Sequence, residues 1–177
     1  MRRFTRKLAS TDGAEIAEAA LVLPLVFMLL LGIIWFGRAF NIYSTIQQAA
    51  QQGAIVGARS TCGTCATERP GRHVLDVYNQ IEAVMSASSI DPSQIESVSP
   101  PTPYSCQNTS TKVACRVHRN VTICEQALLN SPPVSTQTPQ CGIIVSFQYP
   151  FTFYLPFTSL NMSKITLSAQ AQSRMEN

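Results

Sequence analysis

The sequence predicts an α+β protein: a long N-terminal transmembrane helix that continues outside the membrane, a second, amphipathic helix, and a small antiparallel β-sheet. Three observations lead there. Ala19–Gly37 is nineteen residues without a charge. His73–Ser86 repeats its apolar residues at helical spacing, and Ile143–Tyr149 and Ile165–Ala171 alternate as strands do.

The uncharged run includes Leu21-Val22-Leu23-Pro24-Leu25-Val26-Phe27-Met28-Leu29-Leu30-Leu31. As a helix it spans about 28 Å, close to the ~30 Å hydrocarbon core of a bilayer. A core helix rarely needs an apolar surface on every side, so the run reads as a membrane span. Arg2, Arg3, Arg6 and Lys7 precede it, opposed locally by Asp12. Positive charge tends to stay cytoplasmic, which puts the N-terminus inside and the chain after about Arg38 outside. The helix is expected to run on to about Arg59, because Phe40, Tyr43, Ile46 or Gln47, Ala50, Gly53 or Ala54, and Gly57 extend a 3.6-residue stripe. Ala49, Gly53 and Gly57 recur every four residues, a spacing that admits a close neighbour. The competing reading is that these glycines loosen the helix end before Cys62.

Thr61–Gly71 reads as a loop. In the second helix Val74, Val77, Tyr78, Ile81, Val84 and Met85 share one side, with Asp76, Gln80 and Glu82 elsewhere. Asp91-Pro92-Ser93 starts a turn, and Gln94–Val98 reads as a short strand. Ser99–Gln107 holds three prolines and is expected to be irregular. Lys112–Cys124 is β-rich around Val113, Val117, Val121 and Ile123, and Asn130–Gln140 is a Pro/Ser/Thr loop. The two best strands place Ile143, Val145, Phe147 and Tyr149, and Ile165, Leu167, Ala169 and Ala171, on single faces. Between them, Pro150-Phe-Thr-Phe-Tyr-Leu-Pro-Phe157 is an aromatic loop. It either covers the core or touches a membrane surface or another subunit.

From Arg38 onward there are nine basic and seven acidic residues, dispersed along the chain. That balance is too weak to argue for nucleic acid, and no nucleic-acid partner is expected. All six cysteines (Cys62, Cys65, Cys106, Cys115, Cys124, Cys141) follow the apolar run, as expected of a disulfide-bearing domain in an oxidising compartment. Fifteen pairings are possible. Nearest neighbours suggest Cys62–Cys65, Cys106–Cys115 and Cys124–Cys141. Cys62-Gly63-Thr64-Cys65 invites a redox reading, but it follows a long helix with no βαβ pattern around it, so a structural disulfide is expected. Zinc would want a second such pair, which the sequence lacks. His73 and His118 have no nucleophile partner in a recognisable arrangement. Gly-rich phosphate loops and His-Glu-x-x-His are missing from the sequence. The expectation is a protein without catalytic residues, cofactor or metal.

The apolar run is longer than a removable signal core and no Ala-x-Ala closes it. Before it stands Gly13-Ala14-Glu15-Ile16-Ala17-Glu18. A glycine, a small residue and a glutamate five positions past the glycine resemble the processing site of type IV prepilins. There a membrane peptidase cuts after the glycine. A carboxylate one turn into an apolar helix is expensive in lipid, about 2.5–3.5 kcal/mol or more at the bilayer centre. The resemblance implies that Glu18 meets the new N-terminal amine of its own or a neighbouring chain. The plainer reading puts Glu18 and Glu15 in the headgroup zone at the helix start, where the macrodipole favours acids.

The pattern continues through Ala19-Ala-Leu-Val-Leu-Pro24-Leu, Gly32-Ile-Ile-Trp-Phe36-Gly37-Arg38, Tyr43, Gln48-Ala49-Ala50-Gln51-Gln52-Gly53-Ala54 and Gly57-Ala58-Arg59. It resembles the TadE-like family, minor pilins or pseudopilins of the tight-adherence (Flp/Tad) pilus system. Ile165–Ala171 and Arg174-Met175-Glu176 also resemble the end of such domains. The resemblance implies a pilin-like outline and a processing site at Gly13 and Ala14. It also implies residues 1–13 as a basic leader, 14–59 as the assembly helix and 60–177 as the extracytoplasmic domain. The partners it implies are other pilins, a prepilin peptidase, the inner-membrane assembly platform and the lipid bilayer. The chain would be single-pass in a bacterial inner membrane. Two other functions are compatible with the residues: a signal-anchored thiol–disulfide oxidoreductase using Cys62 and Cys65, and an uncleaved structural or adhesive envelope protein.

Overall fold

The computed structural model describes residues 12–60, 72–106, 110–130, 139–152 and 164–175. Its elements are helix α1 (Asp12–Ser60), helix α2 (Arg72–Ala87), a 3-10 turn (Pro92–Gln94), and strands β1 (Arg116–His118), β2 (Val121–Leu128), β3 (Cys141–Phe151) and β4 (Ile165–Arg174). The strands form one antiparallel sheet in the order β1-β2-β3-β4. This is the predicted α+β class, with a long apolar helix, a second helix and a small sheet. The chain divides into two compact units, Met1–Phe40 and Asn41–Asn177.

In the second unit, the last part of α1 buries Ile46, Ala49, Ala50, Ala54 and Ala58. Their spacing of three and four residues keeps them on one face. That face shares a core with Val77, Tyr78, Ile81 and Met85 of α2, and with one face of the sheet. The stripe read from Val74 to Met85 is therefore the core face of α2. On β3 the alternation holds: Ile143, Val145 and Phe147 are fully buried and Tyr149 nearly so. On β4 it holds at Ala169 and Ala171, which are buried, and at Leu167, which is half-buried and packs against the same core. Ile165, paired with Phe151 at the end of the ladder, is exposed.

The opposite face of the sheet is also covered. Cys124, Ala127 and Ile144 form a second small core with Val113, Cys115 and Leu129. With both faces covered, Val121 to Cys124 and Gly142 to Phe147 are buried without interruption. This explains why Ile143-Ile144-Val145 is an apolar run rather than a strict alternation.

The connections follow local chemistry. α2 ends with Ser89 in the left-handed region (φ 57°), which lets the Ile90 N–H donate to the Met85 carbonyl at 2.9 Å. The Asp91 carboxylate accepts the Ser93 N–H at 2.9 Å and opens the 3-10 turn. That bond holds the Asp91 carboxyl below its ordinary pKa. Arg119 and Asn120 both have positive φ, 44° and 67°. They make the two-residue turn between β1 and β2, of the kind whose twist suits a hairpin. The segment expected as a strand at Gln94–Val98 pairs at one residue, Glu96 with Gln148. Pro92 and the 3-10 turn occupy its approach. Ser99–Gln107 is expected to be irregular; within it Ser105 bridges Ala127 of β2, and Tyr104 bridges Lys112 outside the sheet.

The disulfides differ from the nearest-neighbour expectation. Cys115 bonds Cys124 and Cys106 bonds Cys141, so neither Cys106–Cys115 nor Cys124–Cys141 exists. Strand register is the reason. Arg116 opposes Ile123, so Cys115 and Cys124 fall next in line across the hairpin, with Cα atoms 4.2 Å apart. The Cys106 N–H donates to the Gln126 carbonyl and Cys141 opposes Leu128, which brings those two cysteines to a Cα distance of 5.5 Å. Cys62 and Cys65, the Thr61–Gly71 loop, and the aromatic segment from Phe153 onward lie outside the described residues.

Candidate functional site

Gly13, Ala14 and Glu18 all lie in the first turns of α1. A Cβ added at Gly13 would meet nothing within 4 Å, and Glu15 and Glu18 are exposed. Ala14 and Glu18 are four residues apart, so the backbone at Ala14 and the acid at Glu18 share one face of the helix. An amine created at Ala14 would sit one turn from this carboxylate. The arrangement can hold an ion pair within one helix or between neighbouring helices.

Beyond Glu18 the helix is apolar on every side. Leu21 (74% exposed), Val22, Leu23, Leu25, Val26, Phe27, Met28 (73%), Leu29 and Leu30 are all open. Successive residues turn by about 100°, so consecutive exposed apolar residues cover the whole circumference rather than one stripe. Burying that surface requires an apolar environment all round, and the helix is long and apolar enough to cross a membrane. Pro24 lies inside it and has no N–H, so the Ala20 carbonyl loses its usual partner. Transmembrane helices tolerate such a break because neighbouring groups can satisfy the freed carbonyl. At the end of the uncharged run, the Arg38 guanidinium lies 5.9 Å from the Trp35 ring centre.

The small-residue stripe is a packing site. A Cβ on Gly53 would lie 2.9 Å from Ile81 Cγ1, and one on Gly57 would lie 2.5 Å from Ile143 Cδ1 and 2.9 Å from Val77 Cγ2. The reading in which Gly53 and Gly57 merely loosen the helix end is thereby corrected. They are the places where α2 and β3 approach α1.

Long-range side-chain contacts escaped the sequence reading. Gln47 donates to the Ser168 carbonyl at 3.2 Å. Tyr78 stacks edge-on against His118 at 5.4 Å, with Arg119 5.1 Å above the Tyr78 ring. No spacing rule connects residues forty or more positions apart. Tyr78 raises the pKa of the Arg119 guanidinium further above its ordinary value. Burial raises that of the Tyr149 hydroxyl. Among the described residues, no three His, Cys, Asp or Glu side chains converge to hold a metal.

No curated protein and no solved structure matches the chain. The resemblance of residues from Ile165 onward lies beyond the one segment that a family comparison covers. That segment is residues 13–54, from the exposed Gly13 through Glu18 and the apolar run to the buried Ala54, and it matches the family described as TadE-like protein.

Proposed function

We propose that this chain is a membrane-anchored minor pilin, or pseudopilin, that takes part in assembling a Tad/Flp-type pilus. The observation that carries the reading is the placement of Glu18. It is the last acid before the helix becomes apolar all round, and it shares a face with Ala14 inside the segment that matches the TadE-like family. The TadE-like family is one of pilus components rather than enzymes. In this reading a prepilin peptidase cuts between Gly13 and Ala14, removing residues 1–13. Residues 14–59 then anchor the chain and pack against other pilin helices at the inner-membrane assembly platform. Residues 60–177 stand outside the cytoplasm, where Cys106–Cys141 and Cys115–Cys124 are stable in an oxidising compartment.

Glu18 gives the assembly its registry. An unpaired carboxylate within lipid is costly, and pairing with an amine at position 14 removes that penalty. A helix displaced along its neighbour loses the pair, so packing is favoured at one stagger.

Intact mass and N-terminal sequencing of membrane-purified protein test the processing step. A chain beginning at Ala14 is expected, and one retaining Met1 or Arg2 would remove it. Glu18→Val should leave cleavage and export intact while abolishing incorporation into sheared pili. Normal incorporation of that variant would sink the registry role.

A further inference from the structure

Cys115 stands nine residues from Cys106 and nine from Cys124. Chain entropy therefore weights those two closures equally. For the remaining cysteine, closing Cys106 on Cys141 spans 35 residues, whereas closing Cys124 on Cys141 spans 17. The shorter loop closes more readily. An unfolded chain is thus biased towards the consecutive pairs Cys106–Cys115 and Cys124–Cys141, yet the fold contains the nested pairs.

Tertiary structure makes that selection, and it comes late. Cys115 faces Cys124 only when β1 and β2 are in register, and β1 has just three residues. A two-stranded hairpin is marginal by itself in water. Thr122 and Ile123 of β2 are buried only in the sheet that β3 completes, opposite Ser146 and Val145. Cys141 is the first residue of β3, so the stretch that stabilises the hairpin follows all four thiols in the chain. A chain exported from its N-terminal end meets oxidant before it holds the information that selects the pairs.

We infer that this chain is a substrate for a thiol–disulfide isomerase of the extracytoplasmic compartment, which converts consecutive pairs into the nested ones. This rests on the proposed export of the residues after the anchor. In the first stage an exported oxidase, carrying a disulfide, takes two electrons and two protons from each pair of thiols. The conversion that follows has no net redox change. The isomerase thiolate attacks the Cys106 sulfur, breaking Cys106–Cys115 and forming a mixed disulfide at Cys106. The Cys115 thiolate then attacks Cys124, forming Cys115–Cys124 and releasing the Cys141 thiolate. Cys141 attacks the mixed disulfide at Cys106, forming Cys106–Cys141 and returning the isomerase thiolate.

The test expresses the full chain in bacterial cells that keep the exported oxidase, with and without the exported isomerase. Thiols are trapped by acid and alkylation, and disulfides are mapped by peptide mass without reduction. Trypsin at Lys112 and Arg116 and a glutamate-specific protease at Glu125 place each of the four cysteines on its own peptide. A Cys62→Ala/Cys65→Ala chain, run beside the wild type, leaves only three possible pairings. Loss of the isomerase should lower the nested pairs at least about twofold and raise Cys106–Cys115 in their place. A Cys106→Ala/Cys141→Ala chain should form Cys115–Cys124 equally in both strains, because the competitor is gone. Equal nested yields with and without isomerase would overturn this inference and leave the export reading standing. A chain found fully reduced would overturn both.

Discussion

At Gly57 the backbone of α1 lies so close to β3 and α2 that a single added carbon would press on both Ile143 and Val77. Ile143 can swing its terminal methyl aside, but the branched Val77 is held in one rotamer by its own helix. Gly57→Val should therefore destabilise the fold by about 1–3 kcal/mol, the usual penalty for overfilling a packed core. Pulse proteolysis of the detergent-solubilised chain in urea would read the shift. A residue with the opposite sign sits across the sheet. Thr122 is fully buried, and its hydroxyl has no hydrogen-bond partner among the described residues. Thr122→Val keeps the shape and removes the unmet hydroxyl, so the same assay should show a gain of about 1 kcal/mol. The two substitutions probe different penalties, steric at Gly57 and desolvation at Thr122.

The second helix is amphipathic and carries its own stop. Val77, Ile81 and Met85 face the core while Asp76 is exposed. The chain then leaves the helix through Ser89 at positive φ. Glycine reaches that conformation without the Cβ penalty, which makes it the usual residue at such a stop. Ser89→Gly should stabilise the protein by about 0.5–1 kcal/mol, with no change in the far-ultraviolet circular dichroism spectrum. The hairpin between β1 and β2 has a similar origin. Arg119 and Asn120 take the two positive φ values. The Asn120 side chain donates to the Ile95 carbonyl at 2.8 Å, and Arg119 lies over Tyr78. The turn is therefore tied to the 3-10 segment and to α2, which compensates for backbone conformations that neither residue favours as glycine does. At the far edge, the Lys164–Glu96 ion pair is exposed and adds little.

Across the whole molecule, the two units ask different things of their surroundings. In Asn41–Asn177 the apolar residues bury one another around α2 and the sheet. In Met1–Phe40 the described apolar residues are almost all exposed, and the stretch needs lipid or other helices to cover it. The disulfides act on the first of these. On chain-entropy grounds the 35-residue loop closed by Cys106–Cys141 contributes about 4 kcal/mol and the nine-residue loop of Cys115–Cys124 about 2.5 kcal/mol. Cys106→Ala/Cys141→Ala should accordingly lower the urea midpoint more than Cys115→Ala/Cys124→Ala. The reverse order would mean that the small core around Cys124, Ala127 and Ile144 matters more than loop closure.

The helices and the two long strands were legible in the sequence because they rest on short-range periodicity. The apolar run, the 3–4 spacing from Val74 to Met85 and the alternation from Ile143 to Tyr149 each state which face must be buried. The segment that matches the TadE-like family, residues 13–54, was legible for the same reason, since its pattern lies within one helix. Nothing local states what comes to lie beside what. The spacing of Gly53 and Gly57 favoured packing, but loosening of the helix end stayed open until Ile81, Val77 and Ile143 were in place. The covered second face of the sheet was hidden, because Val113, Cys115 and Leu129 are ordinary residues until the hairpin folds them onto Ile144. The cysteines make the contrast plainest. Their number and position after the apolar run predicted disulfides, but spacing favoured the wrong partners. Loop closure responds to separation along the chain, whereas bond formation responds to distance in space, and only the register of β1, β2 and β3 converts one into the other.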